Sequence, residues 1–448
     1  MLDFLKQKTF SWVTGIKLPK INNDRRIEVI ELSEPKIFYV PMLVQRDREA
    51  TVTVEVGERV KKGSVIGRTQ QISIFSPCSG IVKAVSVKPC MQGKLCKHVI
   101  IENDFKNEKQ YFDKLDSLTR VNILKRVMEA GIVDRNGIPL IKTLNTENYG
   151  EMKELIINFC SDEPYITNNI SILLNYGEKV AEAIKLLTIA TGVSKVVFAI
   201  TMLTNEKADN YNAFLVELLK RDQFKNIDLR VEIVQDRYPI GDQTELLYAL
   251  SKTRLYLGED PKDHGYIMVD SSTLLPLYSA VEDGKPNIER FVTLVGCHEF
   301  VTEPYFIKIG TPIDHIINNA VAKKRLENIV KIVAGGPFRG KAISDSSVAY
   351  DCACISLMFL TTREIYIDKE TNCIQCGKCT QVCPRNLMPF KIDRAFYAED
   401  YVSARKFGAE YCSECGCCAY VCPAKRYLVQ RISMCKKEIK KKGINKCH

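Results

Sequence analysis

The residues of this chain whose types and spacing could do chemistry are eight cysteines near the C-terminus. They form two runs of the pattern C-x2-C-x2-C-x3-C-P: Cys373, Cys376, Cys379 and Cys383, then Cys412, Cys415, Cys418 and Cys422. Bacterial ferredoxins use this run to hold [4Fe–4S] clusters, and in two-cluster proteins the fourth cysteine of each run ligates the other cluster. The spacing therefore predicts two interleaved ligand sets: Cys373, Cys376, Cys379 and Cys422 for the first cluster, and Cys412, Cys415, Cys418 and Cys383 for the second.

A pair of zinc sites is the alternative, because C-x2-C pairs also bind zinc. Zinc needs four ligands at one site and no exchange of the fourth cysteine, so the spacing favours two clusters and electron transfer. Cys417 lies inside the second run and could replace Cys418 as a ligand, although the two-residue gaps favour Cys418.

Composition sets the wider frame. The 448 residues are 46% hydrophobic and 26% charged, which is typical of a globular protein of about three domains. No apolar run reaches the roughly 18 residues that a membrane-spanning helix needs, and the first residues lack a signal-peptide pattern. These features predict a cytoplasmic protein, and no nucleic-acid motif accompanies its charge.

The net charge of +10 is concentrated in the last residues. Residues 424–448 contain nine Lys and Arg residues against one acidic residue, a net charge of +8. Such a tail could attract an acidic redox carrier, or an anionic membrane at about 1 kcal/mol per residue. It could equally be a solvated, frayed end, since blocks of like charge are often disordered.

Three patterned regions precede the cysteines and must position them. Short alternating strands are predicted over residues 51–56, 64–69, 72–75 and 80–87. Strands and helices then alternate, which favours a parallel, Rossmann-like α/β layer with ligands at the carboxyl ends of its strands. The elements predicted there are helices at 118–128, around 178–190 and around 211–220, with strands at 154–159, 195–200 and 228–234. A shorter β-rich unit follows at about 290–346, with strands at 290–296 and 305–310 and a helix at 312–322.

The first region resembles the barrel-sandwich hybrid fold of biotinyl and lipoyl domains. Those domains modify a lysine on the hairpin between their halves, whereas the hairpin here carries Thr69, Gln70 and Gln71. We therefore interpret this region as a structural or docking module.

Over residues 12–425 the chain resembles the C subunit of the Rnf electron-transport complex, the RnfC family. The resemblance is carried by GIKLP (15–19), DRYPIGDQTEL (236–246), NIERFVTLVG (287–296), IKIGTPI (307–313), AGGPFRG (334–340) and the first cysteine run. It implies a multi-domain α/β and α+β protein. The implied domains are a barrel-sandwich hybrid (1–110), a complex I 51 kDa-type α/β domain (111–286), an SLBB β-grasp domain (287–350), a ferredoxin-like 2[4Fe–4S] α-helical domain (351–430) and a basic tail (431–448).

The resemblance also implies a flavin and NADH site in the α/β domain. The family's loop GxGGAGFPTxxK corresponds here to residues 130–142, which have lost most of the glycines and carry Asp134 where a phosphate should lie. Residues 158–165 resemble the family's NGAECEPY. The cofactor-binding residues carried over are Gly131, Gly137, Lys142, Asn158 and Glu163. FMN and NADH binding are thus expectations, with a vestigial fold as the alternative.

The function implied is electron transfer through the two clusters, between NADH or ferredoxin-type carriers and a partner complex. The partners would be Rnf-type membrane subunits, which would hold the protein peripherally on the inner face of the cell membrane, or a soluble reductase. Two alternatives stay open. One is an RnfC-like adaptor without its own NADH site, of the kind that accompanies proline reductase, and the other is a non-catalytic iron–sulfur scaffold or redox sensor.

Overall fold

The structure, a computed structural model, describes residues 14–18, 28–44, 48–161, 163–201, 227–256, 258–296, 302–320, 329–365 and 369–444. The helix predicted around 211–220 lies outside these ranges. No helix within them is long and apolar enough to cross a membrane.

Residues 37–103 form a β-structure of small sheets around one apolar core. A short strand, β1 (Ile30–Glu31), precedes this region and belongs to another sheet. The strands of the region are β2 (Ile37–Pro41), β3 (Leu43–Val44), β4 (Arg48–Glu49), β5 (Thr51–Val52), β6 (Arg59–Val60), β7 (Val65–Arg68), β8 (Ser73–Phe75), β9 (Gly80–Pro89) and β10 (Leu95–Asn103). They make a four-stranded sheet in the order β2-β10-β9-β6, a three-stranded sheet β5-β7-β8 and the pair β3-β4. Phe38, Val40 and Ile66 are fully buried between them. The hairpin that lacks the modified lysine is the turn between β7 and β8.

The α/β domain is built on a four-stranded parallel sheet in the order β13-β12-β11-β14. Its elements are α1 (Arg120–Glu129), α2 (Leu140–Leu144), β11 (Glu154–Phe159), α3 (Asn168–Thr191), β12 (Lys195–Thr201), β13 (Asp228–Val234), α4 (Gln243–Ser251), β14 (Tyr266–Asp270) and α5 (Leu274–Glu282). β11, β12 and β14 are mostly apolar because helices cover both faces of the sheet. The edge strand β13 alternates polar and apolar residues. The chain runs from β11 to β12 on one side and later returns to place β14 on the other.

The β-grasp unit is a six-stranded sheet in the order β1-β16-β15-β19-β17-β18. Its elements are β15 (Glu289–Val295), β16 (Thr302–Lys308), α6 (Ile313–Asn319), β17 (Lys331–Ala334), β18 (Lys341–Ile343) and β19 (Ser356–Leu360). The sheet continues past the boundary that we predict at residue 350, because β19 pairs with both β15 and β17. It also recruits β1 from the start of the chain.

The C-terminal domain is helical and repeats itself. It contains α7 (Lys378–Gln381), α8 (Pro389–Tyr397), α9 (Tyr401–Lys406), α10 (Cys417–Tyr420) and α11 (Leu428–Lys441). The basic segment is therefore helical to Lys441, and Ile432, Cys435 and Ile439 anchor it in the domain core. Its exposed face carries Lys437, Lys440, Lys441 and Lys442.

A buried ionic network joins the two halves of this domain. Asp393 of α8 is 2.6 Å from an Arg426 nitrogen and 2.8 Å from an Arg431 nitrogen, and its side chain is 2% exposed. Both arginines also pair with Glu370. These charges are mutually satisfied, which a buried network requires if it is not to destabilise the fold.

Candidate cluster and cofactor sites

The two cysteine runs adopt the same backbone conformation. Gln375 and Glu414 have φ of 54° and 55°, and Gly377 and Gly416, which precede α7 and α10, have φ of 76° and 84°. Each of these residues in the second run lies 39 positions after its equivalent in the first run, as Cys412 lies 39 positions after Cys373. Repeated left-handed residues turn the chain tightly, so that three thiols of a run face the same space.

The first of these spaces is a cavity of about 350 Å³ that contains the thiols of the first predicted set. Its lining includes Cys373, Cys376, Cys379 and Cys422, together with Phe390, Arg426 and Leu428. Cys373 and Cys376 are exposed. The intervening Ile374 is 68% exposed, so this site opens directly to the protein surface.

The second space is a cavity of about 340 Å³, and the cysteines of the second predicted set line it. Its lining includes Cys383, Cys412, Cys415 and Cys418, together with Cys417, Arg385 and Ile432. The amide of Leu387 donates to the Cys383 sulfur at 3.4 Å, and that of Glu414 donates to the Cys412 sulfur at 3.3 Å. Amide donors of this kind stabilise thiolates and tune the potential of a cluster.

The thiols surround cavities instead of meeting at one point. Among the described residues, no group of three or more His, Cys, Asp or Glu side chains could hold a metal ion. Each cavity is lined by the four cysteines that the spacing predicts for one cubane cluster, three from one run and the fourth from the other.

Cys417 and Cys418 have different surroundings. Cys418 packs with Cys379 and Leu428 between the two cavities. Cys417 packs with Tyr238 on the opposite side, and its thiol lies 3.8 Å from the Tyr238 carbonyl oxygen. A hydrogen bond from Cys417 lowers the pKa of the neighbouring Cys415 thiol.

The second cysteine site is docked against the rest of the molecule through an aromatic pair. The Tyr238 hydroxyl donates to the Cys415 carbonyl at 2.6 Å. The Tyr238 ring stacks on Phe338, with centroids 4.5 Å apart. A Cβ on Gly416 would lie 2.9 Å from the Phe338 ring, so the α/β and β-grasp domains both press on this site.

An ion pair makes a further link to the second site. The Arg385 Nε lies 2.8 Å from Oε1 of the buried Glu245, although these two atoms are not aligned as a hydrogen bond. Burial therefore dominates the attraction of Arg385 and raises the pKa of Glu245 to about 7.

The α/β domain has a cavity of about 1460 Å³ at the carboxyl ends of β11 and β14. Asn158 and Asp270, which are paired across these two strands, both line it. This is the point where the strand order reverses, and such a crevice is the usual ligand site in a parallel sheet. Lys142 lines the same cavity.

Glu163 lines an adjoining cavity of about 990 Å³. Its carboxylate accepts hydrogen bonds from the amides of Phe338 at 2.7 Å and Arg339 at 3.1 Å, so it fastens the β-grasp domain to the α/β domain. Burial raises its pKa. Asn158 is likewise engaged, since its side chain donates to the Gly241 carbonyl and accepts from the Cys160 amide.

The two predicted glycines do not themselves line the cavities, although the neighbours of Gly137 do. Neither Gly131 nor Gly137 is among the residues that line the two cavities. Gly131 has φ of 68°, and a Cβ there would meet the Ser73 carbonyl oxygen at 2.3 Å. It therefore allows close packing against the barrel-sandwich region, while Gly137, with φ of 76°, allows the turn that follows Asp134.

Sequence reasoning missed an ion pair that both cavities share. An Arg339 nitrogen lies 2.9 Å from the Asp242 carboxylate, and both residues line both cavities. Burial opposes ionisation of Asp242, but Arg339 and Arg385 outweigh it and lower the pKa. The signal was present, since Asp242 lies in DRYPIGDQTEL and Arg339 in AGGPFRG.

The loop of residues 134–138 does not fit a flavin phosphate. A phosphate-binding loop offers free amide groups to the anion. Here Oδ1 of Asp134 accepts hydrogen bonds from the amides of Asn136 and Ile138, both at 2.8 Å. The cavity has room for a nucleotide, but these two donors are already occupied.

Three family models match separate parts of the chain. They are the RnfC barrel-sandwich hybrid domain (residues 10–106), the Nuo51 FMN-binding domain (127–279) and a 4Fe–4S dicluster domain (364–423). The C subunit of the ion-translocating oxidoreductase complex of Buchnera aphidicola subsp. Baizongia pistaciae is 24% identical over 86% of this chain and 76% of its own length. Over most of its length this chain is therefore RnfC-like.

A second relative is longer than this chain, and the similarity covers only part of it. The protein of the same description from Yersinia enterocolitica is 26% identical over 87% of this chain, which spans about half (56%) of that relative. A crystal structure of an NAD⁺-reducing [NiFe]-hydrogenase in the H₂-reduced state covers 73% of this chain and is itself covered to 63%, at 12% identity and a TM-score of 0.47.

The matches confirm the predicted fold class and the iron–sulfur prediction. The domain matches identify a 4Fe–4S dicluster domain and a Nuo51-type FMN-binding domain in this RnfC-like chain, which supports an iron–sulfur electron-transfer role.

Proposed function

We propose that this RnfC-like chain relays single electrons between a surface cluster and a docked cluster, as a link between a ferredoxin-type carrier and a partner protein. Cys373, Cys376, Cys379 and Cys422 would hold the surface cluster. Cys412, Cys415, Cys418 and Cys383 would hold the docked one. A bound [4Fe–4S] cluster supplies reversible one-electron storage.

The difference in exposure between the two cysteine sites carries the proposal. Cys373 and Cys376 are exposed around the first cavity, whereas Cys383, Cys415 and Cys418 are buried around the second. Cys379 and Cys418, one from each set, pack in the same small apolar group with Leu428. This arrangement supports passage of an electron from a protein docked at the surface site to the inner one.

The surface chemistry supports a protein partner. Three exposed lysines on α11 and Lys442 directly after it make a basic surface, and the relatives are named as subunits of an ion-translocating complex. We propose that an acidic redox protein docks near this face, and that partner subunits at the inner face of the membrane hold the chain peripherally. Electrostatic steering of this kind mainly raises the association rate.

A second candidate is the adaptor without its own NADH site. It is favoured because polar residues in the predicted cofactor segments of the α/β domain make hydrogen bonds within the protein. Asp134, Asn158 and Glu163 are all engaged in internal hydrogen bonds. In that case the α/β domain would be a scaffold, and electrons would arrive only from a protein carrier.

The test is anaerobic purification followed by analysis of iron, sulfide and flavin and by EPR. About eight irons per chain and an EPR signal after dithionite are expected for two clusters. Stoichiometric reduced ferredoxin should bleach the visible spectrum, whereas NADH should not. Zinc without a brown chromophore would contradict the relay, and full bleaching by NADH would contradict the adaptor.

A further inference from the structure

We propose that Asp134 is an internal anion that closes the flavin-type loop, so that the cavity of the α/β domain does not hold FMN by its phosphate. The inference concerns this domain alone and is independent of whether the clusters relay electrons as proposed above. According to this proposal, the Asp134 carboxylate determines whether the cavity binds ligands with a phosphate more tightly than ligands without one.

The hydrogen bonds of the loop carry the proposal. Oδ1 of Asp134 accepts from the amides of Asn136 and Ile138. The backbone completes the ring, since the Asp134 amide donates to the Ile138 carbonyl at 2.9 Å and the Gly137 amide donates to the Asp134 carbonyl at 3.0 Å. Amides of a tight turn form an anion-binding concavity, and here the anion is supplied by the chain itself.

The charges around the loop oppose a second anion. Arg135 is the cation of the loop, but its Nε pairs with Asp270 at 3.0 Å and another of its nitrogens donates to the Gly241 carbonyl at 2.7 Å. Asp134 and Asp270 both line the cavity. At the loop an incoming phosphate would therefore meet two carboxylates and a guanidinium that is already paired. The other cations that line the cavity, Lys142, Lys262 and Arg339, belong to other segments.

The consequence is a measurable preference between two flavins. FMN and riboflavin differ only in the phosphate, so a loop closed by Asp134 should not distinguish them. Removing the carboxylate frees two amides that point at one place and takes away a negative charge. Both changes favour FMN and leave riboflavin unaffected.

The experiment titrates FMN and riboflavin into the full-length, cluster-loaded protein and follows flavin fluorescence. The variants are Asp134→Ala, Asp134→Asn and the control Asp345→Ala. Asp345 accepts the Ser347 amide at 2.8 Å in a similar turn of the β-grasp domain. Wild type and the Asp345 variant should bind FMN no more tightly than riboflavin. Asp134→Ala should bind FMN at least tenfold more tightly than wild type, with riboflavin unchanged.

Three results would overturn the proposal. They are a tenfold or greater preference of the wild type for FMN, an Asp134→Ala protein that gains no FMN affinity, and the absence of flavin binding in every variant. If Asp134→Ala does not fold, as judged by its iron content and thermal unfolding, the wild-type ratio and Asp134→Asn decide. The Asn variant keeps an oxygen for the two amides but loses the charge, so it should gain FMN affinity to a smaller extent.

Discussion

The two cysteine sites are copies of one backbone design in two different surroundings. Both use the same spacing and the same left-handed residues, 39 positions apart. The first site opens to solvent at Cys373 and Cys376, while the second lies beneath Tyr238 and Phe338. The repeat therefore provides the ligand geometry, and the contacts with other domains make the two sites different.

The same backbone position illustrates the contrast. A Cβ on Gly377 would meet nothing within 4 Å, whereas a Cβ on Gly416 would press on Phe338. Residues that are equivalent in sequence thus experience solvent in one half of the domain and a packed interface in the other.

The largest expected effect comes from removing a fourth cysteine. Cys422→Ala should abolish the surface cluster, although Cys422 belongs to the second run, and Cys383→Ala should abolish the docked one. Each variant should retain about four irons of about eight. Iron analysis and EPR spectra of the two variants give the answer, with Cys435→Ala as the control.

Loss of the wrong cluster in either variant would refute the exchange of fourth ligands. The two remaining clusters can be told apart by their access to an external iron chelator. The surface cluster in Cys383→Ala should lose iron faster than the docked cluster in Cys422→Ala.

The next effect concerns the network that joins the two halves. Asp393→Ala would leave Arg426 and Arg431 without their buried partner, so we expect a loss of about 3–5 kcal/mol in the free energy of unfolding. Because Arg426 lines the surface cavity, that cluster should become labile first. Thermal unfolding under anaerobic conditions measures the loss.

The control for this network is Glu414→Gln, which removes the more exposed ion pair of Glu414 with Lys436. Such a pair contributes at most about 1 kcal/mol. Equal losses in the two variants would show that the Asp393 network is no stronger than a surface pair.

A smaller effect separates the two glycines. Gly377→Ala and Gly416→Ala share the cost of a side chain at positive φ, about 1–2 kcal/mol. Gly416→Ala should lose about 1–3 kcal/mol more, because its methyl group must displace the Phe338 ring. Chemical unfolding of the paired variants measures the difference, and equal losses would mean that the interface yields.

The last effect, which is gradual and small for each step of pH, is a dependence of stability on pH beside the docked site. Folded Glu245 holds its proton up to about pH 7, whereas the unfolded residue releases it near pH 4.5. The folded state therefore binds more protons between these values, and its stability falls as pH rises through them, by at most about 1.4 kcal/mol per pH unit.

Denaturant unfolding from pH 5 to 8 checks this slope. Glu245→Gln should flatten it, while Glu129→Gln, a substitution at the exposed end of α1, should not. An unchanged slope in the Glu245 variant would assign the pH dependence to other groups.

Much of the fold could be predicted because its strands carry local patterns, a mostly apolar run in β11 and an alternation of polar and apolar residues in β13. β11 and β13 occupy the predicted ranges 154–159 and 228–234. In contrast, α3 begins at Asn168, ten residues before the predicted start. The helix bends at Tyr176, whose φ of −133° is not helical, so the predicted range covers only the part after the bend.

The functional sites also differ in how far the sequence alone could predict them. Local spacing was enough to group the cysteines, because each run sets its own geometry. The pair of Asp242 and Arg339 depends on two segments that meet only in the folded chain, so no local pattern could connect them. The same holds for β19, whose place between β15 and β17 is fixed by partners distant in sequence.

The proposed exchange of fourth cysteines between the two runs also bears on how the protein matures. The first cubane to be inserted, whichever it is, must bind thiols from both runs and so draws the two halves together. That step arranges the remaining four thiols before any further iron arrives. Assembly should therefore be cooperative, and chains with one cubane should be rare beside empty and fully loaded ones.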